Sequence, residues 1–438
     1  MSDRQHHAAS NGTCPALTLP VEITSEIFLR CVSTTGSANL LNNPPILLTK
    51  ICRDWRLIVL SMPKLWNDIH LPEFRGRRGP RPGYIDSWWV SQLGTWLSRA
   101  QDEPLTMAII ANMNHPDPDE SLVGLLDGHR QRWHDLTLKL PFNRFYQFLA
   151  QEPLPMLERL VVDAHSIPRV VDAPIAAFQL APMLKHVCLS GYFRPSHFIL
   201  PWNQLTSLEL TAASAEDCLE CLRRAPHLLT CSFEIQEGQQ SLRPVASRSH
   251  LTALIMSGTS PSAIFMYITL PGLEELNFAG RSLNGEDLSQ ISSLVSRSRC
   301  QLRRLRLHFI SELLTAPAIQ LLETLSSLES LDLAATEAST IMTLFASLCS
   351  ESFLPQLQHL SLSHHRMADS NIHEMFYDMA KVLARRGLLT PEHVQLQSFS
   401  LTVQYEETAP NLRVIQKLQT LADRGMSLSV RNQHNRWI

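Results

Sequence analysis

Apolar residues recur along most of the chain in one phrase: an apolar residue, two variable residues, an apolar residue, one variable residue and a final apolar residue. The phrase begins at residues 133, 157, 184, 205, 228, 251, 273, 302, 328, 357 and 396, and a related segment begins at residue 105. The starts lie 21 to 39 residues apart. One structural unit repeated at intervals of about 20–50 residues is typical of a repeat protein.

The phrase alternates like a short strand, and the intervening chain has helical periodicity at 216–225, 285–297 and 316–325. All intervals except the last fit a leucine-rich repeat of about 20–29 residues, whose leucines are buried against neighbouring units. We therefore predict an α/β fold over residues 105–438, an irregular leucine-rich-repeat solenoid with one parallel sheet and with Leu208 beside Val187 and Cys231. The alternative is an α/β stack in which the phrases are coincidental.

The turn after each phrase departs from the usual repeat, which carries Asn or Cys three residues beyond the last apolar position. In the repeats that begin at 133 to 357, these places hold other residues, of which only Thr259 and Thr336 are suitable substitutes. We therefore predict a degenerate solenoid without a regular asparagine ladder.

Two apolar segments precede the repeats. The first, LPVEITSEIFLRCV at 19–32, has a proline suited to the first turn of a helix, acidic residues near the helix start and an apolar stripe at three- to four-residue spacing. A second helix is predicted from near Ile46 to Met62. One interpretation is a structural cap for the next domain. So many large apolar residues in so short a segment favour a partner surface instead.

Three pieces of this region resemble, in their order and spacing, an F-box of the form common in fungal (basidiomycete-type) proteins. They are LP-E-I---IF at 19–28, ICRDWR at 51–56 and MPKLWNDIHL at 62–71. The resemblance implies a helical F-box over residues 18–71 that binds a Skp-type adaptor, which links an F-box protein to a cullin scaffold. On the matching positions it implies adaptor contacts by Leu19, Pro20, Ile23, Ile27 and Phe28, with Cys52 and Trp55 contacting the adaptor or supporting that surface.

The flanking segments complete the predicted organisation. Residues 1–17 are predicted to be a disordered tail. Residues 72–104 are predicted to be a linker that begins with a basic loop rich in Gly and Pro and continues into a helix at 87–100. Leu65 and Trp66 are expected to close the core of the F-box.

Composition limits the class of function. The formal net charge of −3 is too small for an electrostatic hold on nucleic acid or on a membrane, and no apolar run is long enough to span a bilayer. Nine scattered cysteines fit a reducing compartment, and the N-terminus lacks the apolar core of a secretory signal. We expect a cytoplasmic or nuclear protein with neither nucleic-acid nor membrane partners.

The sequence offers little for catalysis, since it contains no phosphate-binding, dinucleotide-binding, nucleophile-elbow or HExxH motif. Cys218, Cys221, His227 and Cys231 have a spacing that zinc can use, but the cysteines fall at positions expected to be buried. The histidines at 359, 364, 365 and 373 are expected to be packed or solvated. We predict no metal, no cofactor and no enzymatic activity.

The predicted functional site is a surface, because the outward residues of adjacent strands in a solenoid form a concave face that binds partners. The outward positions assigned to target binding are Arg159, His186, Glu209, Glu234, Glu275, Asn277, Arg304, Arg306, His308, Asp332 and His359. These residues are acidic in the middle of the series and basic later. The alternative is an ordinary solvated face.

Together these features predict a substrate-recruiting F-box subunit of a Skp-cullin-F-box ubiquitin ligase, with an unknown protein target on the repeat domain. Such a subunit forms no bond itself and acts by proximity. One alternative is an F-box and leucine-rich-repeat scaffold that works outside a ligase. Another is an enzyme of unrecognised type, which requires clustered polar side chains in a deep pocket.

Overall fold

The computed structural model describes residues 19–32, 44–70, 87–110, 120–139, 152–164, 174–191, 194–236, 242–245, 247–280, 283–308, 314–364, 372–386, 396–404, 409–432 and 434–438. The chain divides into two compact units, Met1–Pro168 with Ile175–Met183, and Arg169–Pro174 with Leu184–Ile438. Both units are built from helices and parallel strands.

Within its described residues, the first unit combines the N-terminal helices with four strands. Its helices are α1 (Val21–Val32), α2 (Pro44–Leu48), α3 (Arg53–Leu60), α4 (Ser87–Arg99) and α5 (Glu120–Asp127), and its strands are β1 (Asp68–His70), β2 (Leu105–Ile110), β3 (Trp133–Lys139) and β4 (Arg159–Ala164). Consecutive strands pair in parallel, with Asp68 opposite Thr106 and Asp135 opposite Arg159. The strands therefore begin within the 18–71 segment, before the first repeat that the sequence predicts.

The prediction of a single helix from Ile46 to Met62 is wrong. Helix α2 ends at Leu48, and Cys52 is extended, with φ −152° and ψ 173°. The Sγ atom of Cys52 accepts a hydrogen bond from the Trp55 amide and so caps α3, while the Thr49 hydroxyl donates to the Ile46 carbonyl. Such bonds between side chains and backbone compete with helix continuation, which separates α2 from α3.

Aromatic side chains join the N-terminal helices to α4. Trp66 is fully buried, its indole N–H donates to the Val59 carbonyl at 3.0 Å, and its ring meets Trp96 edge-on at 4.9 Å. The Arg99 guanidinium lies 4.4 Å from the centre of the Trp66 ring, a distance suited to a cation–π contact. Leu65 and Trp66 are therefore buried in a core, and this core includes helix α4 as well as residues 18–71.

The second unit contains the remaining strands. They are β5 (His186–Gly191), β6 (Ser207–Ala213), β7 (Thr230–Ile235), β8 (Ala253–Gly258), β9 (Glu275–Gly280), β10 (Arg304–His308), β11 (Ser330–Thr336), β12 (His359–His364), β13 (Ser398–Val403) and β14 (Ser427–Asn432). The α-helices between them are α6 (Ala215–Arg224), α7 (Gly285–Ser298), α8 (Thr315–Glu323), α9 (Ala338–Leu348), α10 (Ile372–Arg386) and α11 (Leu412–Asp423). Short 3₁₀ segments replace an α-helix at Pro195–His197, Trp202–Gln204 and Pro261–Tyr267.

The register of these strands follows the repeated phrase. Each strand of the second unit pairs in parallel with the next in sequence, and Leu208 lies opposite Val187 on one side and Cys231 on the other. Alternate strand side chains such as Leu210 and Leu276 are buried, while the positions between them face outward. The prediction of an α/β repeat fold with parallel strands is confirmed, and the three predicted return helices correspond to α6, α7 and α8.

The last described strand of the second unit, β14, was not predicted from the sequence. β14 pairs in parallel with β13, with Ser398 opposite Ser427, and its segment MSLSV carries the strand alternation without the complete phrase. The C-terminal residues turn back antiparallel onto β14, and the Trp437 amide donates to the Val430 carbonyl at 2.9 Å. This pairing satisfies backbone groups at an edge that otherwise invites association with another strand.

Candidate interaction surfaces

Eight large apolar side chains on or beside the described N-terminal helices are exposed. We call this set the N-terminal apolar surface: Leu19, Val21, Ile23, Ile27, Leu47, Ile51, Leu57 and Leu60. Helices α1, α2 and α3 pack against one another, so the set belongs to one small helical cluster. Within the described ranges no helix has both the length and the apolar character to cross a membrane.

Helix α1 divides its adjacent apolar residues between the core and the surface. Neighbouring residues on a helix point about 100° apart. Phe28 is only 1% exposed and meets the Trp55 ring edge-on at 4.9 Å, whereas Ile27 is 43% and Ile23 51% exposed. The side chain of Phe28 is therefore a core group, and its prediction as a direct adaptor contact is corrected.

The other residues predicted for the adaptor surface form two groups, one exposed and one half-buried. Leu19 and Pro20 are exposed at the start of α1. Cys52 and Trp55 are half-buried, one capping α3 and the other packing on Phe28. These placements suit Leu19 and Pro20 for contact with a partner, and they suit Cys52 and Trp55 for support of the helices that display the surface.

Five members of this surface were not predicted from the sequence to contact a partner, namely Val21, Leu47, Ile51, Leu57 and Leu60. A signal was present in the run LIVL at the end of α3. A helix buries one stripe against its neighbours, so apolar residues all round a short helix must leave some exposed. In α3, Val59 is buried and Leu57 and Leu60 are exposed.

The residues predicted for target binding lie on outward strand positions, as their spacing indicates. In the second unit these positions form a face that we call the open sheet face, and it carries His186, Glu209, Glu234, Glu275, Asn277, Arg304, Arg306, His308, Asp332 and His359, all exposed or half-buried. Arg159 is exposed on β4 of the first unit.

Cross-strand ion pairs neutralise much of the charge on the open sheet face. The Arg304 guanidinium lies 2.9 Å from the Glu275 carboxylate, and the Arg306 guanidinium lies 2.9 Å from the Asp332 carboxylate. Across β9, β10 and β11, the acidic Glu275 is therefore paired with the basic Arg304, and the basic Arg306 is paired with Asp332. Each pair is partly exposed and contributes little stability, but it removes net charge from that part of the face.

Two predicted histidines of this face have local partners. Burial lowers the pKa of His308, the nearby Arg306 lowers it further and Asp332 opposes the shift, so His308 is neutral near pH 7. The Nδ1 atom of His359 lies 2.8 Å from the Ser398 hydroxyl on the next strand. Both side chains are thus parts of side-chain networks on the sheet.

Three of the four residues with zinc-like spacing are core thiols. Cys218, Cys221 and Cys231 are fully buried, and burial raises the pKa of each thiol, so all three stay protonated. Zinc binds the thiolate form. Across the part of the chain that the structure describes, no group of three or more His, Cys, Asp or Glu side chains is placed to hold a metal ion.

We expect protein purified without chelator to contain well under one zinc ion per chain, because protonated, buried thiols are poor ligands. Elemental analysis of the full-length protein measures this directly. The triple variant with Cys218, Cys221 and Cys231 replaced by alanine is the control for background metal. A stoichiometric zinc content that the triple variant loses would contradict the prediction.

An ion pair on β1 makes the stability of the first unit depend on pH. The Nε2 atom of His70 lies 2.9 Å from the Asp68 carboxylate. This hydrogen bond raises the pKa of His70 above its ordinary value, burial opposes the shift, and the charges of Asp68 and Asp135 add to it. A raised pKa in the folded state stabilises the fold below the unfolded pKa of about 6.5.

That stabilisation is expected to be lost as the pH rises through the folded pKa of His70. The pair is about one-third exposed, so the loss should not exceed about 1 kcal/mol. Urea unfolding at intervals from pH 5.5 to pH 8.5 measures it, and His70→Gln should flatten this part of the profile. Identical profiles for the two proteins would exclude a contribution from His70.

Two surface cavities flank Arg224 in the second unit. One, of about 460 Å³, is lined in part by Leu200, Trp202 and Gln204, and the other, of about 280 Å³, in part by Glu220. The Arg224 guanidinium donates to Glu220 at 2.8 Å and lies over the Trp202 ring at 5.9 Å. These contacts hold the arginine in a structural role.

No protein-family model and no curated protein matches the chain. Among solved structures, the crystal structure of a Bacteroides fragilis protein matches over 68% of this chain and 74% of its own length, with 11% sequence identity and a TM-score of 0.32. A similarity of this degree carries no inference about function.

Proposed function

We propose that this protein is a substrate-recruiting F-box subunit of a cullin ubiquitin ligase. The observation that carries the proposal is the N-terminal apolar surface. In α1, Ile23 and Ile27 are about half exposed while the neighbouring Phe28 is buried. Exposed aliphatic side chains concentrated on a small helical cluster are typical of a protein–protein interaction site.

The partner proposed for this surface is a Skp-type adaptor. The F-box resemblance assigns Leu19, Pro20, Ile23 and Ile27 to adaptor contact, and all four side chains are accessible. The additional exposed residues Leu47, Ile51, Leu57 and Leu60 enlarge the apolar area available to the same partner. Burial of this area supplies the binding energy, since about 25 cal/mol is gained per Å² of apolar surface removed from water.

The open sheet face is the proposed site for a protein target. It presents polar and charged side chains from ten consecutive strands of one unit, and such extended faces are how repeat proteins bind partners. In this proposed role the protein itself makes and breaks no covalent bond. It holds the target near a ubiquitin-charged enzyme, which raises the effective concentration of the reacting groups.

Co-purification tests the proposal and separates it from a scaffold that works outside a ligase. Full-length protein carrying an affinity tag should retain a Skp-type adaptor and, through it, a cullin. Retention of the adaptor without a cullin would favour the scaffold, and retention of neither would overturn the F-box assignment. Mass spectrometry after purification with the ligase stalled would then identify the target.

A further inference from the structure

Arginine side chains link the return segments of neighbouring repeats in the second unit, a return segment being the chain between two consecutive strands. The Nε atom of Arg386, in the last turn of α10, donates to the Leu348 carbonyl at 2.9 Å. Its Nη2 atom donates to the carbonyls of Ser350 at 2.7 Å and Phe353 at 2.6 Å. Leu348 ends the preceding helix, α9. One guanidinium therefore holds three carbonyls of the return segment before its own.

Arg248 makes a second link of this kind. It precedes β8 and donates to the carbonyls of Leu222 at 2.7 Å and Arg223 at 3.2 Å, both in the last turn of the preceding helix, α6. The Leu222 carbonyl has no intrahelical donor, because the residue four positions later is Pro226, which lacks an N–H. Arg248 therefore supplies from the next return segment the donor that α6 itself cannot supply.

Arg297 makes a third link. It lies in the last turn of α7, and its Nη2 atom donates to the carbonyls of Phe265 at 2.5 Å and Ile268 at 3.1 Å. These carbonyls lie at the end of the preceding 3₁₀ segment, Pro261–Tyr267. Across the three links the bonded residues are 25 to 38 positions apart in sequence, about one repeat. Each arginine therefore joins a repeat to its neighbour.

The chemistry of the contacted carbonyls favours arginine at these three places. The last carbonyls of a helix lack intrahelical donors, and the negative end of the helix dipole attracts a cation. A guanidinium presents five N–H donors in a planar fork, so one side chain can serve two or more carbonyls. Other repeats carry single contacts instead, from Gln204 to the Leu184 carbonyl and from Ser327 to the Leu302 carbonyl, each at 3.0 Å.

We propose that Arg248, Arg297 and Arg386 are clamps that couple consecutive repeats, so that the second unit opens as one cooperative body. The stability of a repeat array is the sum of the stability of each repeat and of each contact between neighbours, and a clamp strengthens the contact term. The clamps take over a coupling role in a solenoid without a regular asparagine ladder. They act within the fold, so this role does not depend on the proposed function.

Arg386→Lys tests the clamps, because lysine keeps the positive charge and lacks the planar fork of donors. We expect hydrogen exchange of the full-length protein, followed by mass spectrometry, to be about tenfold faster in α10, β13, α11 and β14, in line with the strength of hydrogen bonds to charged groups. These elements lie beyond the broken link and should open without the earlier repeats. Arg385→Lys is the matched control, since Arg385 is exposed on the same helix, and it should leave exchange unchanged.

Arg297→Lys provides an independent test at a different boundary, should the Arg386 variant fail to fold. It is expected to lower the slope of the urea dependence of unfolding, because a unit that opens in two parts no longer unfolds in a single step. Circular dichroism measures this slope and checks that the variants are folded. Faster exchange confined to residues 348–357 in the Arg386 variant would show a purely local cap. That result, an equal change in the Arg385 variant, or wild-type behaviour of both clamp variants would overturn the proposal.

Discussion

Replacing both Ile23 and Ile27 with alanine is expected to weaken binding of a Skp-type adaptor about fiftyfold. The two residues lie one turn apart on α1 and are about half exposed in the free protein. Truncating each removes apolar surface from the proposed interface at a cost of about 1–1.5 kcal/mol. The double variant therefore loses about 2–3 kcal/mol, and each 1.4 kcal/mol is a factor of ten in the dissociation constant.

The fold should tolerate this change, because alanine is the best helix former and neither side chain fills the core. Titration calorimetry with purified adaptor and thermal unfolding of the same samples measure the two properties. Leu412→Ala is the matched control, since Leu412 is 77% exposed on α11 of the second unit.

Alanine at both Leu19 and Pro20 is also expected to weaken adaptor binding more than tenfold.

The stability of a variant in the core of the N-terminal helices serves as the reference for deciding whether these helices form a partner surface or a structural cap. Phe28→Ala removes a buried ring that packs on Trp55, so it should destabilise the first unit by about 3–5 kcal/mol. Wild-type adaptor affinity in the Ile23 and Ile27 double variant would remove the basis for an adaptor surface. Unfolding of that double variant would instead support the cap interpretation.

Replacing Gly258 with alanine is expected to destabilise the second unit by roughly 3 kcal/mol. Gly258 ends β8 with φ +108°, a region that residues with a side chain rarely adopt. A Cβ atom there would lie 2.0 Å from the Ile235 carbonyl oxygen on β7. The neighbouring strand must move to accommodate it, and that oxygen also accepts a hydrogen bond from the Thr259 amide.

Urea unfolding, monitored by circular dichroism, measures the loss. Gly285→Ala provides the matched control, because Gly285 lies in the first turn of α7 and no atom lies within 4 Å of an added Cβ. That variant should be unchanged or slightly more stable, since alanine favours a helix over glycine by about 1 kcal/mol at interior positions. Equal stability of the Gly258→Ala and Gly285→Ala variants would show that an alanine side chain at position 258 does not strain the end of β8.

Most of the repeat fold could be predicted from the sequence, because it is determined by the alternation of apolar and polar residues within each short strand. A strand of a few residues buries alternate side chains, and the phrase records that alternation each time the chain returns to the sheet. The predicted neighbours of Leu208 are correct for this reason. β14 was missed because its buried residues, such as Val430, follow the alternation without the full phrase.

The N-terminal region was only partly predictable. Periodicity indicated α1, yet it could not tell which of Ile27 and Phe28 would be buried, since both are apolar and adjacent. That choice depends on the position of Trp55, which in turn depends on the capped start of α3 at Cys52. The break between α2 and α3 comes from hydrogen bonds that no hydrophobic pattern records.

The candidate target site was also only partly predictable from the sequence. The outward positions follow from the alternation of the strands, so residues such as Glu209 and Arg304 were placed on the open sheet face by the sequence alone. Which charges cancel depends on register: Glu275 and Arg304 are 29 residues apart and Arg306 and Asp332 are 26 apart, and both pairs meet only across β9, β10 and β11. Pairing between such distant residues is set by the length of each return segment. The sequence therefore determined the repeating unit and its inward and outward faces, whereas the tertiary structure decided which surface charges are neutralised and which remain available to a partner.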